Sequence, residues 1–188
     1  MFTKIKINQI TNLTEARYYA AMGVDFLGFR PSQIDIKDII SIIDWVEGTR
    51  AIIDIYVEKD IPSTELIEKF QGIHVMDAID ITPPKGFKFK NYTIDQKHHF
   101  ESGEIPVLSL SKPFTHLSDD EKYYLEEVTS SSPIWLFSEH RWIEEYIAHF
   151  NWEGIVIENT LHEDGTGLMD YDEVNDLLES FEKYKQNE

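Results

Sequence analysis

Eight short β-branched or apolar runs, each separated from the next by a longer polar or helix-patterned stretch, dictate what this chain can fold into. The runs are Lys4–Ile10, Asp25–Phe29, Arg50–Val57, Gly72–Met76, Phe87–Ile94, Ile105–Leu110, Pro133–Phe137 and Gly154–Glu158. Helix start signals fall between them. Asn12 precedes Thr14-Glu15-Ala16-Arg17, and apolar residues recur at helical spacing from Ile36 to Val46. Ser63-Thr64-Glu65 leads into Leu66, Ile67 and Phe70, and Ser118-Asp119-Asp120-Glu121 makes an acidic first turn. Trp142–Phe150 and Asp172–Tyr184 complete the set. Alternating strands and helices imply a parallel sheet with right-handed crossovers, and eight such units close into a barrel. One link departs from the pattern. Pro83-Pro84 and Gly86 lie between Met76 and Phe87, which leaves no room for a full helix, and Asp95 to Gly103 allows only a short one. The expected fold is therefore α/β: a small (β/α)₈ barrel of parallel strands, a single domain over residues 1–188, with one helix missing after strand 4. An open doubly wound sheet is the other topology, but no glycine-rich phosphate loop follows the first strand.

Composition narrows the partners. The chain carries 17 basic and 35 acidic side chains, a formal charge of −18. Such a surface repels polyanions, so neither nucleic acid nor an anionic membrane is expected as a partner. There is no cysteine among the 188 residues, which excludes disulfides, thiolate metal sites and cysteine nucleophiles. Met1 to Ile7 alternates like a strand and lacks the apolar core of a signal peptide, and no stretch is long and apolar enough to span a bilayer. A cytoplasmic location is the expectation.

The first strand ends Lys6-Ile7-Asn8-Gln9-Ile10-Thr11-Asn12-Leu13, and a helix later the chain reads Gly23-Val24-Asp25-Phe26-Leu27-Gly28-Phe29. This resembles the K-I-C-G-I-T-N-L and G-A-D-x-L-G-F segments of the phosphoribosylanthranilate isomerases of tryptophan biosynthesis. Near the other end, Pro133-Ile134-Trp135-Leu136 looks like the strand before the family's A-G-G-L, and Gly154-Ile155-Val156-Ile157 like the strand before S-S-G-V-E. Gly167-Leu168-Met169-Asp170 sits where the family has G-x-K-D. The likeness covers most of the chain and implies the same barrel.

The family's functional residues do not carry over with it. The catalytic base is a cysteine whose place is held by Asn8, and an amide does not titrate near neutral pH. The catalytic acid closes the sixth strand in L-L-D-S-K. Leu108-Ser109-Leu110-Ser111-Lys112 puts Leu110 there, and a one-residue slip would put a serine. Of the S-P-R segment after the second strand, Arg30-Pro31-Ser32-Gln33 retains one charge, on Arg30. The phosphate loops after strands seven and eight become Ser138-Glu139-His140 and Glu158-Asn159-Thr160-Leu161, with carboxylates where a dianion would sit.

Other residues offer chemistry of their own. Strand alternation puts Lys6 on the same side as Asn8, which the register of the family it resembles places inside the barrel, and Asp54 lies within the apolar third strand with Tyr56 and Glu58 on its side. A Lys6–Asp54 pair would serve acid/base work or be a buried ion pair. Glu139, His140, Glu158, His162 and Glu163 gather at the upper rim, without the ligand spacing of a metal site. His74 falls on the fourth strand where the family has a glutamine, and His98-His99 is expected at the surface. Asp164-Gly165-Thr166-Gly167 reads as a turn. The tryptophans and the Tyr123-Tyr124 pair are expected on packed faces.

The reading these residues support is an isomerase-like barrel that has lost isomerase activity, a pseudoenzyme holding a small-molecule ligand or a protein partner. Its expected ligand-binding residues are Lys6, Asn8, Arg30, Asp54, His74, Glu139, Glu158 and Thr160, with no catalytic residue, metal or cofactor assigned. The alternative is an enzyme of different chemistry, or one that retains sugar-phosphate isomerisation through residues the family does not use.

Overall fold

The structure, a computed structural model, describes residues 4–76, 78–81, 83, 85–94, 100–159 and 172–186. Eight parallel strands close into a barrel in sequence order. They are β1 (Lys4–Asn8), β2 (Phe26–Phe29), β3 (Arg50–Ile55), β4 (Gly72–Val75), β5 (Phe87–Thr93), β6 (Glu104–Leu110), β7 (Trp135–Ser138) and β8 (Gly154–Glu158). The helices are α1 (Leu13–Ala21), α2 (Ile36–Trp45), α3 (Thr64–Ile67), α4 (Asp119–Ser131), α5 (His140–His149) and α6 (Asp172–Gln186). Among the described residues no helix joins β4 to β5, where the prolines fall.

The starts of the helices follow from their caps. The Asn12 side chain accepts from the Glu15 N–H at 3.0 Å, and the Asp35 side chain from that of Lys37 at 2.9 Å. Ser118 and Glu121 cap α4 reciprocally, the Ser118 N–H donating to the Glu121 carboxylate at 2.8 Å. The helix led by Ser63 is a single turn.

The apolar core falls into two parts. One lies between the strands and the surrounding helices and includes Ile7, Ile53, Ile73, Leu136 and Ile157. The other fills the lower lumen with Phe26, Ile52, Phe89, Val107, Trp135 and Val156. Trp135 meets Phe26 and Phe89 edge to face, at centroid distances of 5.7 and 5.0 Å. Its ring also lies across Gly154, where a Cβ would come within 2.6 Å of it, so the smallest residue is required. With the lower lumen packed by rings, polar side chains are left to the upper half. Two aromatic residues depart from the expected packed faces: Trp45 is 71% exposed and Tyr123 68% exposed, because each sits on the outward side of its helix.

Candidate functional site

Four of the expected ligand-binding residues lie in the upper lumen and are bonded to one another. Lys6, Asn8, Asp54 and His74 are all 0% exposed. The Lys6 ammonium donates to Asp54 Oδ1 at 2.7 Å and to the Asn8 carbonyl oxygen. His74 Nδ1 faces the same Asp54 oxygen at 3.7 Å, and its Nε2 lies 3.1 Å from Asn91 Oδ1. The Asn8 amide nitrogen donates to Tyr56 Oη at 2.7 Å and to Glu158 Oε2 at 3.3 Å. Five strands, β1, β3, β4, β5 and β8, contribute one side chain or more each to this web, and Tyr56 joins it from just beyond β3.

Electrostatics follow from burial. Burial alone would push the Asp54 carboxyl up, but the Lys6 charge and the His74 contact outweigh it and hold it below the ordinary range. Burial lowers the Lys6 ammonium, against the pull of Asp54. Burial and then the Lys6 charge lower His74, so its ring is neutral near pH 7.

The turn after β1 carries the one non-glycine residue at positive φ among the described residues, Gln9 at 59°. The family motif has glycine at this place, which is the sequence signal for the conformation. The turn aims the Gln9 N–H back at Asp54 Oδ2, 3.4 Å away. A left-handed non-glycine residue costs about 1–2 kcal/mol, and glycine forfeits about half of that in chain entropy. Gln9→Gly should therefore stabilise the fold by about 0.5–1 kcal/mol, read as a higher urea midpoint at unchanged slope. An unchanged or lower midpoint would show that the exposed Gln33–Gln9 hydrogen bond matters more than the turn.

Arg30 and the rim carboxylates have other surroundings. Arg30 Nε pairs with Asp60 at 3.0 Å and its guanidinium lies 5.0 Å from the Tyr56 ring centroid. Asp60, which the sequence reading missed, also accepts from the N–H groups of Tyr56 and Val57, both at 3.1 Å. Burial raises its carboxyl, and hydrogen bonds from Ser32, Arg30 and these two amides more than reverse the effect. Glu139 and Glu158 line a common cleft of about 560 Å³ together with Ser109, Leu110, Phe137 and His140. His140 Nε2 lies 3.0 Å from the Glu158 carbonyl and fastens the β7 loop over the end of β8. Leu110, at the position of the family acid, is buried, and its carbonyl accepts from the Ser138 hydroxyl at 2.8 Å. Thr160, His98-His99, His162, Glu163 and the Asp164–Gly167 turn lie outside the described residues. Among the described residues no three His, Cys, Asp or Glu side chains are grouped to hold a metal ion, and no helix is long and apolar enough to cross a membrane.

Glu158 is the titratable group where the lumen meets the cleft. Burial is the main cause that raises its carboxyl, aided by the Asp54 charge and opposed by the Asn8 hydrogen bond. Below its ordinary pKa of 4.5 the group is protonated folded or unfolded. As pH rises past that value the unfolded chain releases the proton first, so the wild-type fold loses stability until the raised pKa is passed. Glu158→Gln should escape this loss, since the amide oxygen still accepts from Asn8. Thermal melts from pH 4 to 8 should show the variant gaining on the wild type as pH rises; a constant difference would contradict the desolvated carboxylate.

No protein-family model matches the chain, and no curated protein matches it in sequence. Solved structures do match. Phosphoribosyl anthranilate isomerase from Thermus thermophilus aligns over 97% of this chain and 100% of that one, with a TM-score of 0.70 and 14% identity. A monomeric form of the Thermotoga maritima enzyme gives 0.68 over 95% and 97%, at 14% identity. The Pyrococcus furiosus enzyme gives 0.64 over 94% and 97%, also at 14%. A truncated 3-deoxy-D-arabino-heptulosonate 7-phosphate synthase reaches 0.61 at 10% identity over 97% of this chain, so the architecture is shared with barrels of other chemistry. At these identities the likeness establishes the fold alone, a (β/α)₈ barrel.

Proposed function

We propose that this barrel no longer rearranges phosphoribosylanthranilate and that its cleft at the C-terminal ends of β6, β7 and β8 holds a small-molecule ligand. One observation carries the reading. At the position of the family base stands Asn8, an amide whose two ends are both engaged, by Lys6 on one side and by Tyr56 and Glu158 on the other. The rearrangement needs an acid to open the ribosylamine ring and a base to move the C2′ proton. General acid and base groups contribute roughly 10²–10⁴-fold each. Asn8 cannot serve as the base, and Leu110 cannot serve as the acid. The cleft itself falls within the volume range of small-molecule sites and sits on the face where barrels of this type bind.

A second reading has its own support. Glu158, a carboxyl raised by burial at the edge of a cleft, is what an enzyme that retains the isomerisation through residues the family does not use would employ as acid or base. The deciding assay is phosphoribosylanthranilate turnover, followed by loss of its fluorescence, beside an active isomerase. The expected result is no turnover above the uncatalysed rate. Turnover above it that Glu158→Gln abolishes would replace the proposal with the second reading.

A further inference from the structure

The charge of the cleft can be counted residue by residue. Arg141, on its wall, is paired with Glu139 at 2.6 Å and lies 4.6 Å from the Trp142 ring centroid. Lys6 belongs to Asp54 and Arg30 to Asp60. Among the described residues no cation lies within ion-pair reach of Glu158, whose one contact of this kind is the neutral Asn8 amide. Among the described residues Glu158 is therefore a cleft carboxyl without an ion-pair partner, acted on by the Lys6 and Arg30 charges only at longer range, in a chain whose formal charge of −18 concentrates cations near its surface. The cleft around that carboxylate is lined by Phe137, Leu110, Ser109, Ser111 and Ser138. The Ser109 Oγ is buried and has no hydrogen-bond partner among the described residues.

We infer that the cleft binds an organic cation: a small molecule with a primary or substituted amine that pairs with Glu158, and an apolar body that rests on Phe137 and Leu110. This rests on the reading of the cleft as the ligand site. It also sets the expected ligand apart from a phosphorylated sugar, because an anion would meet the Glu158 charge while the cation on the cleft wall, Arg141, is paired with Glu139. An aromatic face beside a carboxylate suits an ammonium group in particular, through ring quadrupole and ion pair together.

Calorimetric titration at pH 7.5 and low salt tests this with four probes: benzylamine, benzyl alcohol, benzoate and inorganic phosphate. Benzylamine should bind at least tenfold tighter than benzyl alcohol, and the two anions should not bind. Glu158→Gln should weaken benzylamine tenfold or more, and melts of the variant show whether it is folded. Arg141→Ala, which removes a like charge, should tighten binding about threefold. Glu126→Gln, on the exposed face of α4, should change it less than twofold. Binding of benzoate or phosphate in preference, no binding of benzylamine, or benzylamine affinity indifferent to Glu158→Gln would each overturn the inference. The last outcome would mean diffuse attraction to an acidic surface. Failure here without isomerase turnover leaves the loss of isomerase activity standing; turnover would overturn that reading whatever the amine does.

Discussion

Lys6→Met should cost the fold about 3–5 kcal/mol, the range for removing one partner of a buried ion pair. The side chains of Lys6 and Asp54 are both 0% exposed and 2.7 Å apart, so the substitution strands a carboxylate without solvent or counter-ion. Urea unfolding at pH 7.5, followed by the fluorescence of the buried Trp135 and Trp152, measures the loss. Its pH dependence is the sharper check. With Lys6 gone, the folded-state pKa of Asp54 rises above its unfolded value, so the folded state binds the extra proton. His74, freed from the Lys6 charge, also becomes easier to protonate, and its Nδ1 already faces Asp54 at 3.7 Å. Both effects make the variant gain stability relative to wild type as pH falls from 8 towards 5. Adding Asp54→Asn should recover most of the loss, because neither charge is then left alone. A single-variant cost below about 1 kcal/mol would show that the pair is not held as ions in a dry lumen.

Gly28→Ala should cost nearly as much, about 3–5 kcal/mol, although it adds one methyl group. The Asp54 carboxylate lies across Gly28, and a Cβ there would stand 2.7 Å from Asp54 Cγ and Oδ1 and nearer still to Oδ2. Space, not backbone conformation, demands the glycine, since Gly28 is not among the residues at positive φ. Either Asp54 moves off Lys6 or β2 moves off β3, and each breaks the same web. The combination with Lys6→Met should therefore cost clearly less than the sum of the two, a coupling that unfolding of the four proteins would read directly. Additive losses would mean that the methyl group strains only the local strand pairing.

The particular places where strands stop show how far a sequence reading reaches. The apolar pattern predicts a first strand to Ile10 and a third to Val57. β1 ends at Asn8 because Gln9 turns to positive φ, and β3 ends at Ile55 because the next two N–H groups go to Asp60. β7 starts at Trp135, since Pro133 has no N–H to give and that of Ile134 goes to the Ser132 carbonyl. Each boundary was set by a side chain or a turn, which periodicity does not register. In the site, alternation put Lys6 and Asn8 on one side, and the family register was needed to turn that side into the lumen where Lys6 could meet Asp54, while Asn91 and Asp60 carried no signal apart from their place in the barrel. Trp45 shows the reverse error: an aromatic residue suggested packing where the helix faces solvent.

The sequence by itself determined the barrel, the order of its strands and the loss of acid and base types at the positions where the family has them. These are local properties, carried by hydrophobic period, proline placement and the titration chemistry of single side chains. Only the tertiary structure decided that Lys6 meets Asp54 across 48 residues, that His74 meets Asn91 across 17, and that Glu158 meets the neutral Asn8 amide at the cleft and, among the described residues, no cation within ion-pair reach. Alternation says which way a side chain points. The stagger at which eight strands close says whom it meets, and that is a property of the whole ring.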